Sequence, residues 1–219
     1  MKIICITQRP IQTLILIYLL AKKNIFFEKV IYCNLKNKNF RDEGAISWKA
    51  LEYQCNLLKI PFYKILDINK DLLKIKSLKS SHVISLVVDT IISSKVISYF
   101  NGHIYSSHGG ILPKYRGVDC TSWSILNGEK YVGITLQKIS RGVDDGRIYK
   151  TSKIKIKQFN NLASIEKLLY YKYKLFDFVK LITQIKKKNK IKYLKAKKSE
   201  KQYFKMHKDL VKIVEKKLK

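Results

Sequence analysis

Short apolar runs of strand length alternate with segments whose apolar residues recur at helical spacing. The apolar runs predict β-strands at residues 2–7, 28–33, 62–66 and 82–88. Between them, helical spacing predicts helices at residues 10–20 and 45–60, and Asn69 is a candidate cap for a short basic helix. The nearly continuous apolar run at 82–88 is typical of a strand that helices cover on both faces.

The second half of the chain continues the alternation. It predicts a strand that ends near residue 108, a helix at 123–126 and a strand at 132–139. An edge strand follows at 148–157. The last predicted element of this domain is a long amphipathic helix at 162–185, which Asn160 or Asn161 caps. Strand–helix alternation indicates a parallel sheet. The sequence therefore predicts an α/β fold with a Rossmann-like, mostly parallel sheet and helices on both faces.

The predicted domain boundary lies near residue 185. Residues 1–185 form the α/β domain, and residues 186–219 form a basic extension with a lysine-rich linker (186–201) and a short terminal element made by Tyr203, Phe204 and residues 209–218. Three histidines outside the main motifs, at positions 82, 103 and 207, are expected to be structural residues at the surface.

The formal net charge of +29 points at first to a polyanionic partner. Arginine, however, accounts for only five of the 45 basic residues, and recognition of phosphates and base edges favours the bidentate guanidinium. Frequent lysine, isoleucine and asparagine along the whole chain are typical of a coding bias toward A and T. Nucleic acid is therefore not the expected partner, although a polyanion-binding role for the lysine-rich end stays open.

Cysteine spacing and hydropathy bear on metal binding, disulfides and membrane association. The four cysteines lack Cys-x-x-Cys spacing, so neither a metal site nor a disulfide framework is expected. The longest apolar run, 14–21, is too short to cross a bilayer, and Gln8, Arg9 and Pro10 interrupt the start of any signal peptide. The chain is expected to be cytoplasmic.

Candidate chemistry lies in two glycine-flanked loops. His108 ends an apolar–polar run and is followed at once by two glycines, which predicts an imidazole at the carboxyl end of a strand. Further along, Asp144 and Asp145 lie between Gly142 and Gly146. Either motif alone is common, since Asp-Gly pairs favour turns. Together they offer an imidazole and a carboxylate for proton transfer, if the fold brings them to one place.

The combined motifs resemble the folate-dependent formyltransferases. That family has Asn-x-His, then Leu-Pro-x-Tyr-Arg-Gly, and later Gly-x-Asp-x-Gly. This chain has Ser106-x-His108, then Leu-Pro-Lys-Tyr-Arg-Gly at 112–117 and Gly-Val-Asp-Asp-Gly at 142–146. The segments 126–129 and 132–135 are also similar to the family. The resemblance is strong over about residues 80–150, and the one departure is serine where the family has asparagine.

The resemblance implies a formyltransferase fold and transfer of a formyl group from 10-formyltetrahydrofolate to an amine. His108 would stabilise the developing oxyanion and donate a proton, and Asp144 would orient His108 and accept the amine's proton. Ser106 would occupy the place of the asparagine that donates to the oxyanion. The pterin would contact Ile91 and Ile92 in one loop and the turn formed by Arg141, Gly142 and Val143 in another.

The acceptor follows from elimination together with the resemblance. No glycine occurs at residues 7–10, which disfavours a dinucleotide site and the glycinamide ribonucleotide branch of the family. The chain also has no room for the further domain of methionyl-tRNA formyltransferases. A nucleotide-linked amino sugar is the expected acceptor, and a homodimer is compatible with this reading. The alternative is an impaired homologue that binds without turnover because of Ser106, unless Ser107 or a water supplies the missing donor.

Overall fold

A computed structural model of the chain defines the structure of residues 1–33, 48–76, 78, 81–87, 90–195 and 201–219. Its strands are β1 (Ile3–Thr7), β2 (Lys29–Cys33), β3 (Phe62–Ile65), β4 (His82–Leu86), β5 (Ile104–His108), β6 (Tyr131–Lys138) and β7 (Arg147–Lys155). Among these residues they form one seven-stranded sheet in the order β3-β2-β1-β4-β5-β6-β7.

The pairing confirms the predicted mostly parallel sheet. β1 pairs in parallel with both β2 and β4, β2 with β3, and β4 with β5. β6 and β7 pair in the antiparallel sense, with a register shift between Leu136 and Gln137. β7 is the last strand in the order, as its alternating lysines predicted.

The helices are α1 (Pro10–Ala21), α2 (Trp48–Leu57), α3 (Ile68–Asp71), α4 (Ser94–Tyr99), α5 (Cys120–Leu126), α6 (Leu162–Leu168), α7 (Lys174–Lys186) and α8 (Lys208–Lys217). A π-helical segment, Leu169–Tyr173, joins α6 to α7, so the predicted long helix is continuous but not uniform. The side chain of Asn161 caps α6. Within the defined residues, every helix is too short or too polar to cross a lipid bilayer.

Two local predictions were wrong. Asp67, not Asn69, caps α3, because its carboxylate accepts the amide of Asn69 at 2.8 Å. His82 is not at the surface: it is 7% exposed and its ring stacks on Tyr105. His207 is exposed, as expected. The predicted positions 45–47, 88, 89 and 196–200 lie outside the defined residues.

The chain divides into two compact units. The first unit comprises residues 1–106 and 178–190, and its core includes β1, in which every residue is buried. The second unit comprises residues 107–177 and 191–219. Its core contains apolar residues of β6, α6 and α8, among them Ile134, Ile165 and Val214. The predicted terminal element is α8, whereas the domain boundary near residue 185 stays a prediction.

Candidate active site

His108 ends β5 with its ring held on both sides. Its Nδ1 lies 3.2 Å from Asp144 Oδ2, and its Nε2 lies 2.6 Å from the backbone carbonyl of Tyr115. Both partners are hydrogen-bond acceptors, so the ring donates to both of them only as an imidazolium. His108 is 8% exposed, and its orientation is therefore fixed inside the second unit.

Asp144 is held by three donors. Besides facing His108, its Oδ2 accepts the amide of Gly117 at 3.1 Å, and its Oδ1 accepts the Gln137 side-chain amide at 2.9 Å. Its backbone has a φ of +48°, in the left-handed region that aspartate tolerates better than most residues. Asp145 instead accepts the hydroxyl of Ser140. The turn therefore presents one carboxylate to His108 and uses the other for local structure.

The buried Arg116 joins the two motifs. Its Nε and Nη2 both donate to the carbonyl of Val143, at 3.0 and 2.7 Å. This contact ties the signature loop, residues 109–117, to the acidic turn, residues 141–146. Arg141 and Gly142 are exposed. Of the predicted pterin-contacting backbone, the Val143 carbonyl is thus already hydrogen-bonded within the protein.

Gly110 leaves space for the His108 contact. A Cβ at this position would lie 2.6 Å from His108 Nε2 and 2.7 Å from the Tyr115 carbonyl oxygen. Thr135 fastens the same loop, because its hydroxyl donates to the Gly110 carbonyl at 2.7 Å and accepts the Leu112 amide at 3.2 Å. The Leu112–Pro113 peptide bond is cis.

Ser106 shares a strand face with His108, since side chains two residues apart on a strand point the same way. Its partner in the neighbouring strand is Ser85. Ser107 points to the opposite face, and its buried hydroxyl has no hydrogen-bond partner among the residues that the structure defines. Ser107 is therefore not placed to replace Ser106 beside the imidazole.

Burial and hydrogen bonds shift the pKa values of three other titratable groups around the loop. It raises the pKa of the Cys120 thiol to about 12, with the nearby Asp144 and Asp119 carboxylates adding to the shift. A thiolate nucleophile at Cys120 is therefore excluded near neutral pH. Burial likewise raises the pKa of Tyr115 to about 12, and its hydroxyl donates to Glu129 at 2.8 Å. Hydrogen bonds from Lys114 and then Tyr115 lower the pKa of Glu129.

Ile91 and Ile92 belong to the first unit, in the loop that leads into α4. The side-chain amide of Asn69 makes two hydrogen bonds to this loop and so braces it. Its Nδ2 donates to the Ile91 carbonyl at 2.9 Å, and its Oδ1 accepts the Ser93 amide at 2.8 Å. The Ile91 side chain is 73% exposed, and Ile92 is half-buried. A braced loop that exposes a large apolar side chain fits contact with an aromatic ring system.

Sequence reasoning missed three contributors to the site. Thr135 and Gln137 are polar residues buried on an otherwise apolar strand, and that interruption of the apolar pattern was the available signal. Tyr203 lies in the terminal extension, and its contact with the signature loop depends on tertiary structure. No local sequence pattern predicts the contact of Tyr203 with the signature loop.

Comparison with known proteins gives a family match over the region that contains His108 and Asp144. Residues 72–172 match the family described as formyl transferase. The bifunctional polymyxin resistance protein ArnA of Wigglesworthia glossinidia brevipalpis is 30% identical over 156 residues, which are 69% of this chain and 20% of that protein. Methionyl-tRNA formyltransferases and phosphoribosylglycinamide formyltransferases are also among the similar proteins.

Two solved structures share the fold. WlaRD, a sugar 3N-formyl transferase crystallised with dTDP and 5-N-formyl-THF, superimposes with a TM-score of 0.66 at 24% identity, covering 93% of this chain and 69% of its own. The N-formyltransferase of Helicobacter canadensis, in complex with folinic acid and dTDP-3-aminofucose, gives 0.65 at 24% identity, covering 92% and 70%.

With its fold, its paired His108 and Asp144 and the match over residues 72–172, the chain resembles the formyl transferase family, as its motifs predicted. It has the α/β formyltransferase fold. The match reaches only part of the curated relatives: 20% of ArnA and 38% of the methionyl-tRNA formyltransferase of Finegoldia magna.

Proposed function

We propose that this protein transfers a formyl group from 10-formyltetrahydrofolate to the amino group of a nucleotide-linked sugar. The observation that carries the proposal is the 3.2 Å contact between His108 Nδ1 and Asp144 Oδ2, made by two motifs 36 residues apart in the chain. The surrounding donors and the close fit at Gly110 maintain this contact, as a preorganised proton-transfer pair requires.

The reaction assigns each group a task. The amine nitrogen forms a bond to the formyl carbon, the bond from that carbon to the folate nitrogen breaks, and one proton passes from the amine to the departing nitrogen. His108, in its imidazolium form, places an N–H donor beside the formyl oxygen and gives a proton to the departing folate nitrogen, and the proton lost by the amine later restores that form. Asp144 holds the ring and accepts the amine's proton, directly or through water.

His108 must exchange one contact to do this. Its Nε2 faces the Tyr115 carbonyl, and Nδ1 faces Asp144. Donation to the formyl oxygen uses Nε2, so the substrate oxygen shares or displaces the Tyr115 carbonyl when it binds. Within the second unit, the exposed residues Arg141 and Gly142 are the groups assigned to the pterin.

The acceptor assignment is supported by two relatives. WlaRD is a sugar 3N-formyl transferase, and the N-formyltransferase of Helicobacter canadensis was crystallised in complex with dTDP-3-aminofucose. The turn after β1 contains Gln8, Arg9 and Pro10 and no glycine, which is unfavourable for close backbone approach to a phosphate. An amino sugar joined to a nucleoside diphosphate therefore fits better than a purine precursor.

A second candidate is binding without efficient turnover, and Ser106 is the observation that favours it. Loss of one oxyanion donor typically costs about 10²–10³ in rate. Serine carries a donor on a shorter arm than asparagine, and Ser107 points to the other face of the strand. In this reading the fold and the folate site persist, while transfer is slow.

Formyl transfer to a panel of amines separates these functions. Purified protein is mixed with 10-formyltetrahydrofolate and one of three acceptors: dTDP-3-aminofucose, phosphoribosylglycinamide or methionyl-tRNA. Release of tetrahydrofolate is followed by absorbance and the formylated product by mass spectrometry. The proposal expects turnover with the sugar, and none with the same protein carrying His108→Ala. Folate binding without turnover on any acceptor supports the second candidate, and turnover on another acceptor contradicts the sugar assignment.

A further inference from the structure

The C-terminal segment 202–206 contacts the signature loop through an isolated β-bridge. Tyr203 makes a parallel β-bridge with Gly117, in which its amide donates to the Arg116 carbonyl at 2.7 Å and its carbonyl accepts the Val118 amide at 3.0 Å. A Cβ on Gly117 would lie 2.0 Å from the Tyr203 carbonyl oxygen, and Gly117 has a φ of +102°. Only glycine allows this approach, so the loop is built to receive the segment.

Side chains reinforce the backbone bridge. The Tyr203 ring, 7% exposed, stacks on Tyr115 with 5.1 Å between ring centroids and an interplanar angle of 22°. Asn127 joins the two tyrosines, because its Nδ2 lies 3.3 Å from the Tyr115 hydroxyl and 3.2 Å from the Tyr203 hydroxyl. Trp123 packs against the other side of Tyr203 at 5.5 Å.

The segment is also anchored beyond the tyrosine. The carbonyl of Phe204 accepts the indole N–H of Trp123 at 2.8 Å, and the amide of Met206 donates to Asp119 at 2.8 Å. Met206 is buried in the same apolar cluster as Val214 of α8. The segment 202–206 is therefore held both at the loop and in the core of the second unit.

The two residues that the segment clamps are the ones that hold the reacting pair. Tyr115, under the Tyr203 ring, supplies the carbonyl at His108 Nε2. Gly117, paired with the Tyr203 backbone, supplies the amide at Asp144 Oδ2. A shift of the backbone at 115–117 would therefore move an acceptor of the imidazole and a donor to the carboxylate at the same time.

We infer that Tyr203 is a positioning residue, which fixes the backbone of Tyr115 and Gly117 and through them the orientation of His108 and Asp144. It does not reach the reacting atoms. This inference rests on the proposed function for its effect on rate, while its effect on the His108 ring is independent of any reaction.

The test compares three substitutions in the full chain. Tyr203→Ala removes the stacked ring, and Tyr203→Phe keeps the ring but loses the hydroxyl that Asn127 contacts. Phe204→Ala is the matched control, since it removes a neighbouring aromatic ring that is 70% exposed and leaves the backbone contacts in place. If Tyr203→Ala is unfolded, Tyr203→Leu, which keeps apolar volume without stacking, carries the same expectation.

Two readouts are used. Tyr203→Ala should lower kcat by roughly 10- to 100-fold with KM for the acceptor nearly unchanged, because small displacements of catalytic groups are costly. Tyr203→Phe should recover most of that loss, and Phe204→Ala should match wild type. Independently, the ¹⁵N resonances of the His108 ring in protein without ligands, assigned by comparison with His108→Gln, should move in Tyr203→Ala and stay in place in Phe204→Ala.

The outcomes separate the two proposals. If wild type transfers no formyl group, the proposed function fails, and the His108 resonances alone decide the role of Tyr203. If folded Tyr203→Ala or Tyr203→Leu keeps the wild-type His108 resonances, the positioning role is wrong, whatever the activity. The positioning role would also be wrong if Tyr203→Ala and Phe204→Ala changed kcat by the same factor.

Discussion

At the scale of single residues, the polar atoms of His108 and Asp144 have hydrogen-bond partners within the protein. Asp144 accepts from Gly117 and Gln137 and faces His108, whose other ring nitrogen faces a carbonyl. Such preorganisation lets charge develop on a substrate without reorganising the protein. Ser106, on the same strand face as His108, is the residue whose chemistry departs most from the rest of the family pattern.

Replacing Ser106 with asparagine tests that departure. Ser106→Asn lengthens the side chain and supplies an amide N–H toward the formyl oxygen, so we expect faster formyl transfer, by up to about 10²–10³-fold. The measurement is kcat with the sugar acceptor at saturating folate.

Ser106→Ala is the matched control for this substitution. It removes the hydroxyl without adding a donor, and it should be slower than wild type. A folded Ser106→Asn variant that binds folate but is no faster than wild type would show that Ser106 is not a weakened donor.

At the scale of secondary-structure elements, a side chain on α3 braces the loop that leads into α4. Asn69→Ala removes both hydrogen bonds to this loop, and at about 0.5–1.5 kcal/mol each we expect a loss of about 1–3 kcal/mol in unfolding free energy. Urea denaturation measures this loss, and fluorescence titration with folinic acid measures the weaker folate binding that should accompany it.

Asn69→Asp is the matched control for the loop. It keeps an acceptor for the Ser93 amide and loses the donor to the Ile91 carbonyl, so its stability should lie between wild type and Asn69→Ala. Folate affinity equal to wild type in a destabilised Asn69→Ala protein would remove Ile91 and Ile92 from the binding site.

α6 contains a half-buried acid, Glu166, that costs stability. Burial, followed by the nearby Asp119 and Glu215, raises the pKa of Glu166 above its ordinary value of 4.5. The charged form is therefore disfavoured in the folded state, and this penalty is present at neutral pH but absent below pH 4.5, where both states are protonated. Glu166→Gln should raise the unfolding midpoint at pH 7, and the gain should vanish as the pH falls.

Differential scanning calorimetry across pH measures this effect, and each kcal/mol gained would appear as about 2–4 °C. Glu52→Gln on α2 is the control for removing one negative charge from a strongly basic chain. A gain for Glu166→Gln that is the same at low and neutral pH would contradict the penalty assigned to Glu166.

How far the sequence predicted the structure depended on the range of the interaction. Continuous apolar runs located β1 and β4, and apolar–lysine alternation located β7, because the burial of a strand leaves a local pattern in its sequence. The motif around His108 and Asp144 indicated the two loops that meet. Asn69 was misassigned as a cap because Asp67 nearby competed for the same role, and the bracing function of Asn69 depends on a loop more than 20 residues away. Tyr203 acts across a longer separation still.

At the scale of the whole molecule, the lysine-rich composition and the resemblance to the formyl transferases lead to different expectations. A net charge of +29 favours anionic partners, and a nucleoside diphosphate sugar is anionic. Under the proposed function, that anionic partner is one that carries an amine to be formylated. A positive net charge would then raise the rate at which such an anion meets the protein.

The most direct test is the rate of tetrahydrofolate formation by wild type and by Asp144→Asn, with 10-formyltetrahydrofolate and dTDP-3-aminofucose as substrates. Asparagine has the size of aspartate but cannot accept the amine's proton as a carboxylate does. The account predicts turnover by wild type, and a loss of at least about 10²-fold in Asp144→Asn with the fold and folate binding intact. Equal rates for the two proteins would contradict it.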